Sequence, residues 1–478
     1  MSRNKLSRRL LMLSAALTLA MSQTAFAGET VELNLQEAME RAFNTNPAIN
    51  IAGYNVKSAK ASLDAARSSH LLSITAQHQS QRGGADDERL QQKYNPVDNK
   101  FEPVMTKGIG NQHSNSLTAS LPIYTGGEIR GTVRRAKANY NSVLEGKQKA
   151  YNDMRATVTN GYCDLLQAGN MQQLGRESVQ RLEDHLKNVQ AQYEVGVVAK
   201  VDVLRSQVEL SNAKQSLIQA ENAYQVAEAN LNRIVGLPMD TTLKLDNILT
   251  YSEYAEDMAY CLDYASQYRP ELEQARQGVE AAKGALMVAR SGYMPKIAAS
   301  ATQNWSDTNW PGDENGEWGV GVSVSMNVFD SGVTWSKING AKADLAVAEE
   351  TYRDTVDAVN LDVRNCYLNL REAEKRIGTT ETAVSQAEED YRIAQVRYMA
   401  GVGTNTDVLD AQVALTQAKT NYLQAMYDYN TSKTDLENAM GVPMMFPTKV
   451  TVEPQKEALA KAEAEVNNTA EAEEQAAE

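Results

Sequence analysis

Two patterns of apolar positions recur along this chain, and each predicts a different element. Between about 333 and 399, Leu345, Ala348, Tyr352, Val356, Val359 and Val363 fall at spacings of three and four. Ile377, Val384, Ala387, Tyr391, Ala394 and Tyr398 continue the stripe. That spacing is the seam of a coiled coil. No proline interrupts it, so it predicts one helix, a rod on the order of 100 Å long at about 1.5 Å per residue. Such a rod cannot bury its apolar side within a compact globule. It must lie along other long helices, and the alanines on its stripe permit a close approach.

The second pattern has a period of two. Trp318, Val320, Val322 and Val324 alternate with Gly319, Gly321, Ser323 and Ser325. Leu117, Ala119 and Leu121 alternate with Ser116, Thr118 and Ser120. Ile297, Ala299 and Ala301 alternate with Ala298, Ser300 and Thr302, and Leu72, Ile74 and Ala76 do so more weakly. These predict four strands. The alternation fits a half-buried sheet packed on a helix and equally a membrane barrel strand with lipid on one face and water on the other.

The two halves of the chain resemble each other. Gly196-Val197, Asp202-Val203-Leu204 and Gly236-Leu237-Pro238 recur 205 residues later as Gly401-Val402, Asp407-Val408-Leu409 and Gly441-Val442-Pro443. Upstream the offset becomes 223, pairing Pro47 with Pro270 and Ala66-Arg67-Ser68 with Ala289-Arg290-Ser291. The 18-residue excess falls between about 78 and 114, in a stretch rich in Gly, Asn, Gln and Asp, and predicts a surface loop. Each half then reads as a helix (35–68 and 256–291), two strands, a very long helix and a second helix. The expected organisation is a leader over 1–27, one repeat over 28–250, a second over 251–452, and a tail over 453–478 that is acidic, lacks aromatics and is expected to be disordered.

Composition changes this picture in three ways. Arg3, Lys5, Arg8 and Arg9, the apolar run Leu10–Met21 and Ala25-Phe26-Ala27 form a secretory signal peptide cleaved after Ala27. Its removal takes the net charge from −14 to −18, which argues against nucleic-acid binding. The export address favours the membrane-strand reading. Cys163, Cys261 and Cys366 are isolated, and His70, His78, His113 and His185 are scattered. None forms a metal or triad motif, and no phosphate loop is present, so the chain is expected to be no enzyme and to need no cofactor. Four strands cannot close a barrel, and an open sheet edge is excluded from lipid. Two copies would give eight strands with a filled interior; three give twelve, with room for a lumen.

These features together resemble the TolC family of outer-membrane efflux and secretion channels. The match lies in the duplication, in the turns Leu121-Pro122-Ile123-Tyr124-Thr125-Gly126-Gly127 and Asn327-Val328-Phe329-Asp330-Ser331-Gly332, and in the repeated Tyr-x-x-Gly-Val-x-x-x-x-Asp-Val-Leu. It covers residues 31 to about 445. The resemblance implies an α+β membrane protein: a homotrimer with a 12-stranded barrel in the outer membrane, surrounded by its lipid, and a helical coiled-coil barrel through the periplasm. It implies a periplasmic adaptor and an inner-membrane pump, an ABC or RND transporter, as partners in type I secretion or small-molecule efflux. It implies a periplasmic gate at Asp407 and Asp410, whose spacing places both on one helical face, with Asp202 and Tyr398 tying neighbouring helices. An arginine expected in that gate is Gly403 here. Helix-start chemistry is the alternative for Asp202 and Asp407. A soluble periplasmic scaffold or adaptor is the alternative for the whole chain. A protease added to intact cells is expected to cut within 79–114 or 303–317; cleavage at the turns near 196 or 401 would contradict this topology.

Overall fold

Two proline-led helix breaks, two helices of equal and unusual length, and one four-stranded sheet organise the chain. The computed structural model describes residues 30–84, 88–95, 97–107 and 110–442; the expected leader and acidic tail lie outside the described residues. The first half contains β1 (Thr30–Leu33), α1 (Leu35–Thr45), α2 (Pro47–Ser68), β2 (Ser73–Gly83), β3 (Glu88–Asn95), β4 (Lys100–Lys107) and β5 (Gly110–Tyr124). It continues with α3 (Glu128–Glu194) and α4 (Lys200–Val235). Then come β6 (Thr242–Leu245), α5 (Met258–Tyr268), α6 (Pro270–Arg290), β7 (Lys296–Asp307), β8 (Asn315–Ser325), α7 (Val333–Met399) and α8 (Asn405–Ala439). The long helices α3 and α7 have 67 residues each.

Three expectations need correction. The helix expected over 35–68 is two helices. Pro47 has no N–H to continue α1 and forces the residue before it out of the helical region. Asn46 is accordingly extended; its N–H donates to the Ala42 carbonyl and its side chain caps α2 at the Ala48 N–H. The segment expected as a helix over 256–291 breaks the same way, at Arg269 before Pro270. The 18-residue excess, expected as a loop, contains the antiparallel hairpin β3–β4, with Tyr94 and Phe101 in ring contact at 5.4 Å. The parallel pair β1–β6 was not expected either.

That small pair closes a core at mid-length. Leu33, Ala38, Ala42, Val158, Leu231 and Leu243 are buried there around Tyr162. The Tyr162 hydroxyl lies 3.0 Å from the carbonyls of Leu33 and Asp246 and accepts the Asp246 N–H at 2.8 Å. Burial pushes its pKa up to about 12. One side chain therefore joins α3 to both strands. Cys163 and Cys261 are buried, and all three cysteines are free.

The sheet runs β2-β5-β7-β8, antiparallel throughout. Its register places Ile74 opposite Ala119, Ala119 opposite Ala301 and Ala301 opposite Val320, so the apolar positions share one face. Serine, threonine and glycine occupy the other. Edge strands β2 and β8 are 11 residues each, about 36 Å at roughly 3.3 Å per residue. No described helix is long and apolar enough to cross a membrane. The chain passes from strand to helix through Gly127 (φ 93°) and Gly332 (φ 86°), a left-handed turn that favours glycine. Side chains 205 apart support both turns: Thr125 accepts the Ile129 N–H, and Asp330 accepts those of Gly332 and Thr334.

Below the sheet, α3 and α6 touch backbone to backbone. A Cβ on Gly131 would sit 2.7 Å from the Gly284 carbonyl oxygen, and one on Gly284 would sit 2.8 Å from that of Gly131. Neither neighbour is a side chain that can swing away. Gly284→Ala is therefore expected to cost about 1–3 kcal/mol by overpacking, measured as a lower unfolding midpoint of the detergent-solubilised protein. An unchanged midpoint would contradict the close approach.

Candidate functional site at the helix turns

The turns 195–199 and 400–404 lie at the far end of the long helices from the sheet. Each long helix stops the same way. Gly196 (φ 79°) and Gly401 (φ 72°) take the left-handed conformation just past the helix end. The next amide reaches back five residues, Val197 to Gln192 at 2.9 Å and Val402 to Arg397 at 3.0 Å.

Beyond those glycines the two repeats part. Ala199 begins α4 with no side-chain cap. Its counterpart Thr404 begins α8 with a capping box: the Asp407 N–H donates to Thr404 Oγ1 at 3.1 Å, and the Thr404 N–H donates to Asp407 Oδ2 at 2.9 Å. The first turns of α4 carry exposed apolar residues, Val201, Leu204 and Val208. Those of α8 bury Val408, Leu409, Ala411 and Leu415, and Val408 and Ala411 pack with Val189, Ala394 and Tyr398. Thus α8 is tucked against its neighbours while the start of α4 is left bare.

The expected gate residues are all at this end. Asp407 and Asp410 are exposed, and Asp202 is half-buried. Tyr398 is 7% exposed, and its hydroxyl has no hydrogen-bond partner among the described residues. Burial and then the Asp202 charge raise the Tyr398 pKa, so the two are near neighbours, yet no hydrogen bond joins them within the protomer. Asp407 serves helix start through its capping box, while its exposed side remains free to face a pore. At Gly403 a Cβ would lie 3.0 Å from the Tyr398 nitrogen and 3.1 Å from Arg397 carbon atoms, so the turn is tight where an arginine was expected. A different arginine bridges the hairpins: Arg205 on α4 donates to Thr406 Oγ1 on α8 at 2.9 Å.

Sequence reasoning missed a buried polar cluster here. His185 on α3, Ser206 on α4 and Asn405 on α8 are each 5% exposed or less. His185 Nε2 lies 2.7 Å from Asn405 Oδ1, Ser206 Oγ lies 3.3 Å from the same oxygen, and Asn405 Nδ2 donates to the Asp202 carbonyl at 3.2 Å. The signal was a break in the repeat: at an offset of 205, His185 faces Asp390, Ser206 faces Ala411 and Asn405 faces Lys200. Among the described residues no group of three or more His, Cys, Asp or Glu could hold a metal.

The comparisons with known proteins agree with this architecture. The family model for outer membrane efflux proteins matches residues 38–237 and 261–442. The chain belongs to that family. It is 24% identical to the outer membrane protein TolC of Escherichia coli over 60% of this chain and 62% of that one. It is also 24% identical to the probable efflux pump outer membrane protein TtgC of Pseudomonas putida, over 70% of each. The fold matches the outer membrane protein VceC of Vibrio cholerae with a TM-score of 0.69 at 18% identity, over 85% of this chain and 96% of that one. It matches the CmeC channel of Campylobacter jejuni with a TM-score of 0.70 at 16% identity, over 85% of each. Its place is the outer membrane, from which it extends into the periplasm.

The capping box generates a prediction. Thr404→Ala is expected to cost about 1 kcal/mol of local stability, read as faster amide exchange at 405–408. The bonds from Thr404 hold the Asp407 carboxyl below the usual carboxylate range. Its contribution is therefore full above the ordinary carboxylate pKa and lost as the pH falls through the depressed value. Amide protection there should fall in acid in the wild type and not in Asp407→Asn.

Proposed function

We propose that this protein is a passive conduit across the outer membrane, assembled from three copies, that receives cargo from an inner-membrane pump through a periplasmic adaptor. The observation that carries it is a four-stranded sheet, open at both edges, joined directly to hairpins on the order of 100 Å long. Its apolar face suits lipid and its small polar face suits water. Three copies joined β8 to β2 make twelve strands and leave a lumen. The exposed apolar stripe of α4, and Val347, Leu361 and Leu368 on α7, gain partners in the same assembly. The protein supplies the path, and the pump supplies the energy.

Its relatives cover both kinds of cargo. TtgC is named as an efflux pump component. The alkaline protease secretion protein AprF of Pseudomonas aeruginosa, 24% identical over 61% of this chain and 62% of that one, is named for protein secretion. We assign this chain to efflux, type I secretion or both, with an ABC or RND pump.

The proposed periplasmic gate is formed by Asp407 and Asp410, with Asp202 and Tyr398 beside them. Three copies bring six carboxylates to one constriction, which attracts cations and repels anions. The experiment is single-channel recording in a planar bilayer. Monovalent cations should pass in preference to anions, and multivalent cations added from the helix side should block. The double variant Asp407→Ala, Asp410→Ala should lose both properties with its oligomer intact. An unchanged block would place these aspartates at the helix start alone.

A further inference from the structure

We propose that Ser80, His78 and Asn115 form a hydrolytic triad on the apolar side of the sheet, which cleaves acyl esters of glycerophospholipids. The inference goes beyond the conduit reading, since nothing in conduction requires it. His78 and Ser80 lie two apart on β2, so their side chains leave the same face. The register sets Asn115 on β5 opposite His78, and His113 opposite Ser80. His78 Nδ1 lies 2.7 Å from Asn115 Oδ1, and His78 Nε2 lies 3.0 Å from Ser80 Oγ. His113 Nδ1 lies 2.6 Å from the same Ser80 oxygen. No local motif announces the group, because 37 residues separate His78 from Asn115.

The direction of every bond is set from one end. Asn115 Nδ2 donates to the Pro311 and Gly312 carbonyls at 2.9 and 3.0 Å, which makes Oδ1 the acceptor. His78 Nδ1 therefore donates, and the neutral ring keeps a lone pair on Nε2 to receive the Ser80 proton. Ser80 Oγ in turn accepts the His113 Nδ1–H. These are the roles of an acyl-transfer site: a nucleophile, a base bonded to it, and a group that holds the base in the right tautomer. His113 adds a donor that stabilises charge on Ser80 Oγ as its proton leaves. The β7–β8 turn holds the arrangement in place. A Cβ at Gly312 would lie 2.6 Å from His113 Cβ and 2.7 Å from the His113 carbonyl oxygen, so the turn seats directly on β5.

Position selects the substrate. Ile74 and Ala76 precede His78 on the same face of β2, and Leu117 and Ala119 follow Asn115 on that face of β5. Trp305 stands opposite Asn115, and Trp318 stands opposite Gln303, the partner of Leu117. Ile74, Leu117 and Trp318 are exposed. His78 lies about 7 Å beyond Ala76 at roughly 3.3 Å per residue, where the face turns from apolar to polar. A glycerophospholipid against this face lays its acyl chains on the apolar positions and brings its ester carbonyls to that boundary. Indole rings suit the same level, apolar in body with one polar N–H.

In the reaction, Ser80 Oγ adds to the ester carbonyl carbon while His78 Nε2 takes its proton. The bond from that carbon to the glycerol oxygen breaks, the proton on Nε2 passes to the leaving oxygen, and a lysophospholipid departs. Water then adds to the acyl-serine with His78 again as base. A fatty acid leaves and Ser80 is restored. Water is the one co-reactant.

The test uses the full chain, detergent-solubilised as its intact oligomer, with mixed micelles of a diacyl phosphatidylethanolamine. Fatty-acid release is measured, and a fluorophosphonate probe is located by peptide mass spectrometry. The wild type should release fatty acid and carry the probe on Ser80. Ser80→Ala and His78→Gln should each lower release by at least about a hundredfold with the oligomer unchanged, and His78→Gln should also lose the label. Ser116→Ala, on the opposite face of β5, should leave both readouts as they are. A wild type that releases nothing, or release that survives Ser80→Ala, would overturn the proposal. Turnover of a short water-soluble ester without turnover of the phospholipid would overturn the substrate class. None of these readouts needs a pump or a current, so a failure of conduction would fault the conduit reading and leave the triad standing.

Discussion

Backbone hydrogen bonds at the two edges of the four-stranded sheet constrain everything else in this protein. Strands β2 and β8, 11 residues each, are the edges of the sheet, and no further strand pairs with them among the described residues. In water such edges are a hazard; in hydrocarbon they are excluded. Among the described residues the other strands pair elsewhere, β1 with β6 and β3 with β4, and cover neither edge. The proposed association answers that constraint, and the helices repeat the demand. Val201, Leu204 and Val208 on α4 are more than half exposed at 51%, 50% and 56% in the isolated protomer.

Much of this was legible from residue spacing. The seam from Leu345 to Tyr398 marked α7 closely, and the 205-residue offset carried the same limits to α3. Period-two alternation located β5, β7 and β8. Helices 35–68 and 256–291 were misjudged because their apolar spacing continues across Pro47 and Pro270, and the local cost of proline outweighs that continuity. The β3–β4 hairpin was hidden because Gln91, Gln92 and Lys93 show no alternation. Its pairing is set by the turn between the strands and by Tyr94 against Phe101. The pair β1–β6 was invisible for another reason: parallel strands far apart in sequence have no local signature.

The candidate site was half legible. Family resemblance led to Asp202, Tyr398, Asp407 and Asp410, all found at the turns. It could not show that Thr404 engages Asp407 in a capping box, or that the bridging arginine is Arg205. His185 was set aside as one of four scattered histidines, because nothing in the linear sequence shows that it meets Asn405. Duplication supplies the physical context: the two hairpins begin as copies, and the candidate site lies where they stop matching. There α8 is capped, buried and bonded to the other hairpin, and α4 is not.

The central claim is that three chains close one barrel. The most direct measurement is the mass of the detergent-solubilised protein by native mass spectrometry, with chemical cross-linking to count subunits. The account predicts a stable complex of three chains and a cross-linking ladder that ends at three. A stable monomer or dimer would contradict it, since neither leaves a closed sheet with an open lumen.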